Sequence, residues 1–223
     1  MEIRDNYREV MSTFMTNGVH GQVWSKTVYA VAHYSSGGAT RYFTARNVNR
    51  LSHAENGVIN HVEDLLTSRK LTSPKIKLYL SYSPCHECSQ RIVNLLTTAR
   101  WCHHIALEVE IVFSALYRIR RPSCEKNPSC HRHLPSYDDH RLNVDGLKKL
   151  FRTPGVVLRT FTQRDWLQLW IALGFPPLDI VRFSSRSEVD DLLKKDFEQT
   201  MGMIRTEPVS TWLQLLQLLI ERL

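Results

Sequence analysis

The sequence predicts an α/β fold with one five-stranded mixed sheet and helices on both of its faces. Five short segments have the apolar patterns of strands, and segments with a helical period separate most of them. No internal repeat or low-complexity linker interrupts the chain of 223 residues, which suffices for one sizeable core. Hydrophobic residues make up 43% and charged residues 23%, as is typical of a globular protein.

The first half of the chain alternates between the two kinds of element. Turn residues Ser35-Ser36-Gly37-Gly38 join the first two predicted strands as a hairpin. Proline stands at the first turn of the third helix, where its missing N–H costs nothing. The predicted elements are an amphipathic helix at 7–15, strands at 26–34 and 40–46, a helix at 52–66, a strand at 75–81 and a helix at 84–100.

The second half begins with a segment at 108–117 that is apolar through most of its length, which predicts a central strand. A long polar segment follows at 118–141. A helix at 142–151 and a strand at 156–161 then predict a parallel pair with a right-handed crossover. Further helices are predicted at 165–173, 188–203 and 209–223, the last strongly apolar. We expect a main domain over 1–180 and a helical extension over 181–223, packed on or attached to it.

Charge and cysteine content limit the kinds of binding partner and the cellular compartment that we expect for the protein. Lysine and arginine outnumber acidic residues 29 to 22, giving a net charge of +7, which suits a polyanionic partner or a solvated basic surface. No apolar run is long enough to span a bilayer, so we expect no membrane association. Glu2, Arg4 and Asp5 stand where a signal peptide would turn apolar. Five cysteines, an odd number, favour a reducing compartment, cytoplasmic and/or nuclear.

The chemistry is concentrated in two short motifs, His53-Ala54-Glu55 and Pro84-Cys85-His86-Glu87-Cys88. One imidazole and two thiolates suit zinc, and three protein ligands leave a fourth position open for water, as in catalytic sites. Both motifs stand at predicted helix starts, which favour thiolates. We therefore expect His53, Cys85 and Cys88 to bind Zn²⁺ and Glu55 to transfer protons.

Each fragment also has a simpler interpretation. Ser52-x-x-Glu55 fits a capping box, and His53 alone could be a surface or capping histidine. The two cysteines alone fit a redox pair or half of a structural site. The combination, in this order, fits the signature H-x-E…P-C-x-x-C of zinc deaminases.

The residues around the motifs resemble the AID/APOBEC family of polynucleotide cytidine deaminases. The similarity spans about residues 25–175 and implies a cytidine-deaminase-like fold around a catalytic domain. It is carried by Ser81-Tyr82-Ser83-Pro84-Cys85-His86-Glu87-Cys88, Ser114-Ala115-Leu116-Tyr117, Asp145-Gly146-Leu147-Lys148-Lys149-Leu150 before Gly155-Val156-Val157, and Phe161-Thr162-Gln163-Arg164-Asp165-Trp166 with Trp170.

The resemblance also implies roles for residues around the zinc. Tyr82 and Tyr117 would stack on or flank a flipped base, and Asn47 would contact the nucleotide. Thr27 would lie at the pocket wall, and the N–H of Ala54 and the carbonyl of Ser83 would bind the cytosine edge. Apart from the resemblance, the charge of Arg118, at the start of the segment after Tyr117, suits a phosphate contact. The alternatives are strand-end packing for the tyrosines, a turn for Asn47 and a solvated basic loop for Arg118.

Three features depart from the family pattern. Tyr82 replaces the usual tryptophan, and the last forty residues match no part of the family pattern. The segment after Tyr117 is longer than usual and contains Cys124, Cys130, His131, His133 and His140. Both cysteines with two of these histidines could hold a second, structural zinc. A flexible basic loop and a Cys124–Cys130 disulfide are the alternatives.

The function expected from the sequence is zinc-dependent hydrolysis of cytosine to uracil in single-stranded DNA or RNA. One rival is a deaminase of free nucleosides or tRNA. Another is a nucleic-acid-binding protein whose zinc is structural or inactive. The apolar helix at 209–223 is predicted to pack on the core or to form a homodimer or partner contact.

Overall fold

The computed structural model describes residues 7–22, 24–47, 52–175 and 186–203. Its helices and strands follow one another in the order α1 (Tyr7–Thr16), β1 (Tyr29–Ser36), β2 (Ala39–Arg46), α2 (Ala54–Thr67), β3 (Lys75–Leu80), α3 (His86–Cys102), β4 (Glu108–Phe113), α4 (Pro122–Glu125), a 3₁₀ helix (Pro128–His133), α5 (Tyr137–Phe151), β5 (Val156–Thr160), α6 (Gln163–Ala172) and α7 (Ser187–Met201). In these ranges, no helix has both the length and the apolar character needed to cross a bilayer.

The five strands form one mixed sheet in the order β2-β1-β3-β4-β5. Strand β1 pairs antiparallel with both β2 and β3, whereas β3, β4 and β5 are parallel. This arrangement confirms the predicted α/β fold with a five-stranded mixed sheet. Strand β4 lies between β3 and β5, as its apolar sequence predicted, and the β4–α5–β5 unit is parallel.

Alternating side chains of the strands supply two cores, one on each face of the sheet. Ala30 and Ala32 of β1 face the core formed with α2, α3, α5 and α7. Tyr29 and Val31, on the opposite face, pack with residues of α1 and α6. Burying each large apolar side chain stabilises the fold by roughly 1.5–3 kcal/mol. Helices on both faces therefore hold the sheet, and the sheet fixes where its connecting loops emerge.

The two largest differences between predicted and observed boundaries have local causes. Strand β4 ends at Phe113 rather than at 117, because the carbonyl of Ala115 accepts a hydrogen bond of 2.7 Å from Ser83 N–H outside the ladder. Helix α5 begins at Tyr137 rather than at 142, because the Ser136 side chain accepts a hydrogen bond from Asp139 N–H as N-cap. The predicted polar segment therefore contains α4, the 3₁₀ helix and the start of α5.

Helix α7 packs against the sheet. Leu193 is fully buried, and the ring of Phe197 lies 5.2 Å from that of Phe113 on β4. Asp196 forms a buried ion pair of 2.7 Å with Arg121. This first helix of the predicted extension is thus packed on the core. The boundary at 180 and the helix at 209–223 lie outside the described residues and stay predictions.

Candidate active site and metal centre

The N-termini of α2 and α3 meet at the carboxyl end of the central strands. His53 is the N-cap of α2, and Cys85 is the N-cap of α3, with Cys88 in its first turn. The His53 Nδ1 atom lies 3.2 Å from Cys88 Sγ and 3.4 Å from Cys85 Sγ. Both cysteines are buried. The fold thus brings together the three side chains that the sequence predicted as ligands.

The separations of these atoms fit a zinc ion. Bonds of about 2.3 Å to sulfur and about 2.0 Å to nitrogen in a tetrahedron place sulfur and nitrogen roughly 3.5 Å apart. The two observed nitrogen–sulfur distances, 3.2 and 3.4 Å, are close to that value. The donor set of one imidazole and two sulfurs is one that zinc prefers. His53, Cys85 and Cys88 would therefore hold the metal and leave a fourth position open.

The start of α3 stabilises a thiolate at Cys85. Its sulfur accepts a hydrogen bond of 3.4 Å from Cys88 N–H, as an N-cap serine oxygen would. The hydrogen bond from the Cys88 thiol, aided by this N–H and by His53, lowers the pKa of Cys85 to about 5 against the effect of burial. The same shared proton and burial raise the pKa of Cys88. Both thiols are free, and they share the pocket with a histidine.

Glu55 lies beside the cysteine pair and is only 6% exposed. Burial, reinforced by the charge of Cys85, raises its pKa to about 7, although its own backbone N–H and His53 act in the opposite direction. A carboxyl with this pKa can both accept and release a proton near neutral pH. Because the N-cap is His53, Glu55 is the second helical residue, whereas a capping box needs its glutamate at the third.

Helix α5 supports the first turn of α3. A Cβ atom added at Gly146 would lie 2.7 Å from His86 Cα and 3.2 Å from Ser89 Oγ. The absence of a side chain there lets α5 approach the backbone next to Cys85. The position of the cysteine turn therefore depends on a helix that follows it by more than forty residues in sequence.

Ser83 connects the cysteine turn to the segment after β4. Its N–H donates to the carbonyl of Ala115, and its Oγ accepts a hydrogen bond of 2.9 Å from Tyr117 N–H. The side chain is buried. These bonds place Tyr117 next to the predicted metal ligands although more than thirty residues separate the two segments.

An aromatic cluster of Trp24, Tyr82 and Tyr117 borders the site. The ring of Trp24 lies 5.5 Å from that of Tyr82 and 6.1 Å from that of Tyr117. Tyr82 is 4% exposed, and its hydroxyl donates to Asn17 and accepts from Ser25 N–H. Tyr82 thus forms the base of the cluster, and the half-buried Tyr117 is more accessible to a ligand.

Trp24 and Asn17 were not among the predicted site residues. A tryptophan in a polar segment before a strand is a usable sequence signal, because such a ring needs a partner surface. For Asn17, no pattern in the sequence indicated contact with Tyr82.

Arg118 extends the aromatic cluster toward solvent. Its guanidinium lies 5.6 Å from the centre of the Tyr117 ring and 3.4 Å from a carboxylate oxygen of Asp139. The side chain is 52% exposed. A partly exposed guanidinium beside an aromatic ring can contact a phosphate while a base lies on the ring.

Asn47 and Thr27 lie where β1 and β2 approach the site. The Asn47 side chain accepts a hydrogen bond of 2.7 Å from Val28 N–H and donates one of 2.8 Å to the Lys26 carbonyl. This pair of bonds fixes the segment that contains Thr27, whose side chain is partly buried. An asparagine amide has two N–H groups, and Lys26 accepts from one of them.

Ala54 is the first residue of α2 and is fully buried. Its N–H is among the first four of the helix, which have no intrahelical acceptor. It therefore points out of the helix end that carries His53 and Glu55, where an acceptor on a ligand would be stabilised by the helix dipole.

The histidines predicted for a second metal site are not the ones that the fold brings to Cys124 and Cys130. In the described part of the chain, the histidine beside these cysteines is His20. His131 contacts the Glu125 carbonyl, and His140 Nδ1 accepts a hydrogen bond from Arg120 N–H. The third predicted histidine, His133, accepts a hydrogen bond from Trp24 through its backbone carbonyl. The group beside the two cysteines therefore contains His20 in place of the predicted histidines.

This difference has a topological reason. The three predicted histidines follow the cysteines in sequence, but in the described part of the chain none of them joins Cys124 and Cys130 in a group whose ligand atoms all lie within 4.8 Å of one another. His20 comes from the connection between α1 and β1. Spacing within the long segment carries no information about that connection.

The sequence profile of APOBEC4-like AID/APOBEC deaminases matches residues 15–173, which is more than half of the chain. The match includes both predicted metal-ligand motifs and the aromatic cluster. The DNA dC→dU-editing enzyme APOBEC3 of Cricetulus longicaudatus is 40% identical over 62 residues. The enzymes of the same description from Mus musculus and Rattus norvegicus are also 40% identical over 62 residues.

These local similarities cover 26% of this chain and 13–14% of the length of the rodent proteins. They connect one segment of this chain to DNA-editing enzymes that are much longer than the aligned region.

Proposed function

The chain belongs to the APOBEC4-like AID/APOBEC deaminases, and we propose that it hydrolyses cytosine to uracil in single-stranded polynucleotide, with DNA as the preferred strand. The observation that carries the proposal is the buried Glu55 carboxyl beside the cysteine pair, at the meeting point of two helix N-termini. The names of the rodent relatives support the choice of DNA.

The reaction adds water to C4 of cytosine and releases ammonia. Zinc held by His53, Cys85 and Cys88 would supply Lewis acidity that makes water a nucleophile near neutral pH. Glu55 accepts a proton from the attacking water and gives it to N3 of the ring. It then transfers the second proton to the amino group that leaves as ammonia, so that the protons balance and Glu55 ends as it began.

The backbone at the two helix starts orients the base. The N–H of Ala54, at the start of α2, donates to the O2 carbonyl of cytosine, and the Ser83 carbonyl accepts a hydrogen bond from the exocyclic amine. These contacts use the edge that a duplex would occupy in base pairing, so the base must leave the stack to reach the pocket.

The surroundings of the pocket favour a single strand. Tyr117 offers a ring for stacking, and Arg118 and Asn47 offer N–H donors to the backbone on either side. The net charge of +7 adds a long-range attraction to a polyanion. Stacking on an accessible aromatic ring requires an unpaired base, which a duplex does not present.

The test is uracil formation on one cytosine-containing sequence offered as single-stranded DNA, single-stranded RNA, duplex DNA and the free nucleoside. Zinc content is measured in the same protein sample, and Glu55→Gln serves as the matched inactive control. We expect product from single-stranded DNA at a rate at least tenfold above that from duplex DNA.

Three outcomes would overturn the proposal. Faster deamination of the free nucleoside would assign the chain to the nucleoside class. Faster deamination of a folded tRNA, offered as a fifth substrate, than of a linear strand would assign it to the tRNA class. Tight binding of single strands without turnover by zinc-loaded protein would make it a binding protein. Varying the base before the cytosine in the same assay would give the sequence preference.

A further inference from the structure

A second cluster of metal-binding side chains lies outside the catalytic pocket. It contains His20, Cys124 and Cys130, whose ligand atoms all lie within 4.8 Å of one another. His20 comes from the connection between α1 and β1, Cys124 from α4 and Cys130 from the 3₁₀ helix. Cys130 is buried, and the other two are partly buried. Three separate segments of the chain thus bring one imidazole and two thiols to one point.

The backbone at the cluster is shaped for close approach. Gly21 has a φ of +74°, and a Cβ atom added there would lie 3.1 Å from Ser129 Oγ. Glycine allows both the left-handed conformation and the contact with the 3₁₀ helix. In this position Gly21 N–H donates a hydrogen bond of 3.4 Å to Cys130 Sγ. An N–H directed at sulfur is an arrangement that stabilises a thiolate.

The histidine ring is also oriented by neighbours. One ring nitrogen of His20 lies 3.0 Å from Ser123 Oγ, and the other lies 3.1 Å from Asn127 Nδ2. Ser123 Oγ in turn donates a hydrogen bond of 2.6 Å to Asp196. Metal-bound histidines commonly have their second ring nitrogen held by such a chain ending in a carboxylate. On binding a metal, one ring nitrogen would exchange its present neighbour for the ion.

The cysteine-bearing segment is anchored independently of the cluster. Asp196 on α7 accepts hydrogen bonds from Ser123 N–H and from the Arg121 side chain, at 2.9 and 2.7 Å. The charges of Arg121 and Asp196 cancel, so the pair does not repel a metal cation from the cluster. Cys124 is therefore held in position by α7, and the site needs little rearrangement to bind an ion.

We propose that His20, Cys124 and Cys130 form a second zinc site, distinct from the catalytic one. Two thiolates neutralise the charge of Zn²⁺, and one imidazole completes a donor set that zinc prefers. Solvent completes the tetrahedron. Ordering the segment between β4 and α5 costs chain entropy, which the bound ion offsets.

This site would fix two segments that border the catalytic pocket relative to each other. His20 lies in the segment that leads to Trp24, and Trp24 Nε1 donates a hydrogen bond of 3.0 Å to the His133 carbonyl just after Cys130. Arg118 and Tyr117 stand at the start of the cysteine-bearing segment. The ion would cross-link the connection before β1 to the connection after β4, which carry Trp24 and Tyr117 of the aromatic cluster.

Native mass spectrometry of the full chain, purified without chelators under reducing conditions, counts the metal directly. We expect two zinc ions per chain in the wild type and one in Cys124→Ala, in Cys130→Ala and in His20→Ala. His20→Cys keeps a ligand of suitable chemistry and should retain two. His131→Ala, a histidine of the same segment outside the cluster, should also retain two.

The two sites are separated by their own variants. Cys88→Ser should keep the second ion and lose the first, and the double variant Cys88→Ser/Cys124→Ala should bind none. The number of zinc ions bound by the wild type is measured without any substitution, so it tests the proposal even if a variant is unstable. Alkylation of intact wild type, mapped by peptide, should leave Cys124 and Cys130 unmodified until a chelator is added.

Two results would overturn the proposal. One is a single zinc ion in the wild type that Cys124→Ala does not change and Cys88→Ser removes. The other is a mass lower by two hydrogens, with Cys124 and Cys130 alkylated only after a reductant, which would identify a disulfide. Neither outcome bears on the deaminase assay, so the two proposals fail separately.

Discussion

The side-chain oxygen of Asn143 accepts a hydrogen bond of 3.1 Å from His86 N–H, at the first residue of α3 next to Cys85. Asn143 is buried on α5, 57 residues later in the chain. The bond satisfies one of the N–H groups that a helix start leaves without a partner. It therefore couples the geometry of the cysteine turn to the packing of α5.

Asn143→Ala should destabilise the protein and loosen the zinc site together. Losing this part-buried hydrogen bond costs about 0.5–1.5 kcal/mol. We expect the free energy of unfolding in urea to fall by this amount and zinc to be lost to a chelator faster. Asn94→Ala on the exposed face of α3 is the matched control, with an expected change below about 0.5 kcal/mol. Equal effects in the two variants would show that the bond has no positioning role.

Gly146→Ala should push α5 away from the same turn. The added Cβ would meet the backbone of His86 at 2.7 Å, and a backbone atom cannot rotate away as a side chain does. Overpacking of this kind costs about 1–3 kcal/mol. Thermal unfolding of zinc-loaded protein measures it, with exposed Asp145→Ala on the same helix as control. An unchanged melting temperature in Gly146→Ala would mean that α5 accommodates the methyl group.

Asp165 belongs to a network of ion pairs on the face of the sheet opposite to α2 and α3. We expect this network to make the free energy of unfolding fall at low pH. Asp165 lies 2.7 Å from Lys77 and 2.5 Å from Arg159. Burial alone would raise the pKa of Asp165, but hydrogen bonds from Arg159, Lys77 and Thr162 hold it well below its usual range. Because the folded-state pKa is lowered, the stabilisation is fully present above the unfolded pKa of about 3.9 and is lost as the pH falls below it.

Asp165→Asn tests this dependence. We expect it to lower the free energy of unfolding at pH 7 by about 1.5–3 kcal/mol, since it weakens the charged hydrogen bonds from Lys77 and Arg159. Both cations keep Glu110 as a carboxylate partner. The variant should also lose less stability than the wild type between pH 5 and pH 3. Asp138→Asn, at a side chain that is 87% exposed, should leave both quantities unchanged. Parallel pH profiles for wild type and Asp165→Asn would contradict the assignment.

Tyr117→Ala should weaken binding of single-stranded DNA, because it removes the accessible ring of the aromatic cluster. Base stacking on such a ring contributes about 1–3 kcal/mol, so we expect the Kd to rise by roughly 5- to 150-fold. Tyr117→Phe keeps the ring and should bind nearly as well as the wild type. Fluorescence anisotropy with a labelled oligonucleotide measures both, and Tyr42→Ala on the edge strand β2 is the remote control. Equal affinities for Tyr117→Ala and Tyr117→Phe would exclude stacking at this position.

The features that the sequence predicted well depend on local pattern. Alternating and continuous apolar segments predicted the five strands, and the strand–helix–strand order predicted the parallel pair of β4 and β5. The two predicted metal-ligand motifs each stand at a helix start, and their side chains lie close together because parallel strands direct the following helices to one edge of the sheet.

The features that the sequence did not predict depend on contacts between distant segments. The N-cap at Ser136 was missed because Asp138 and Asp139 made the first turn of α5 resemble a polar loop. His20 was missed because only the folded connection between α1 and β1 brings it to Cys124 and Cys130. Asn143 looked like an ordinary helix residue, and its bond to His86 exists only once α5 lies on α3.

The central claim is that Glu55 moves protons and does not hold the metal. Glu55→Gln keeps the shape of the side chain but cannot accept the proton, so deamination should fall by about 10²–10⁴-fold. The measurement is the single-turnover rate of uracil formation on single-stranded DNA together with zinc content in the same sample. We predict that Glu55→Gln retains the zinc content of the wild type and loses turnover, whereas Cys88→Ser loses zinc and turnover together. Near-normal turnover in zinc-loaded Glu55→Gln, or no turnover by zinc-loaded wild type on any strand, would contradict the account.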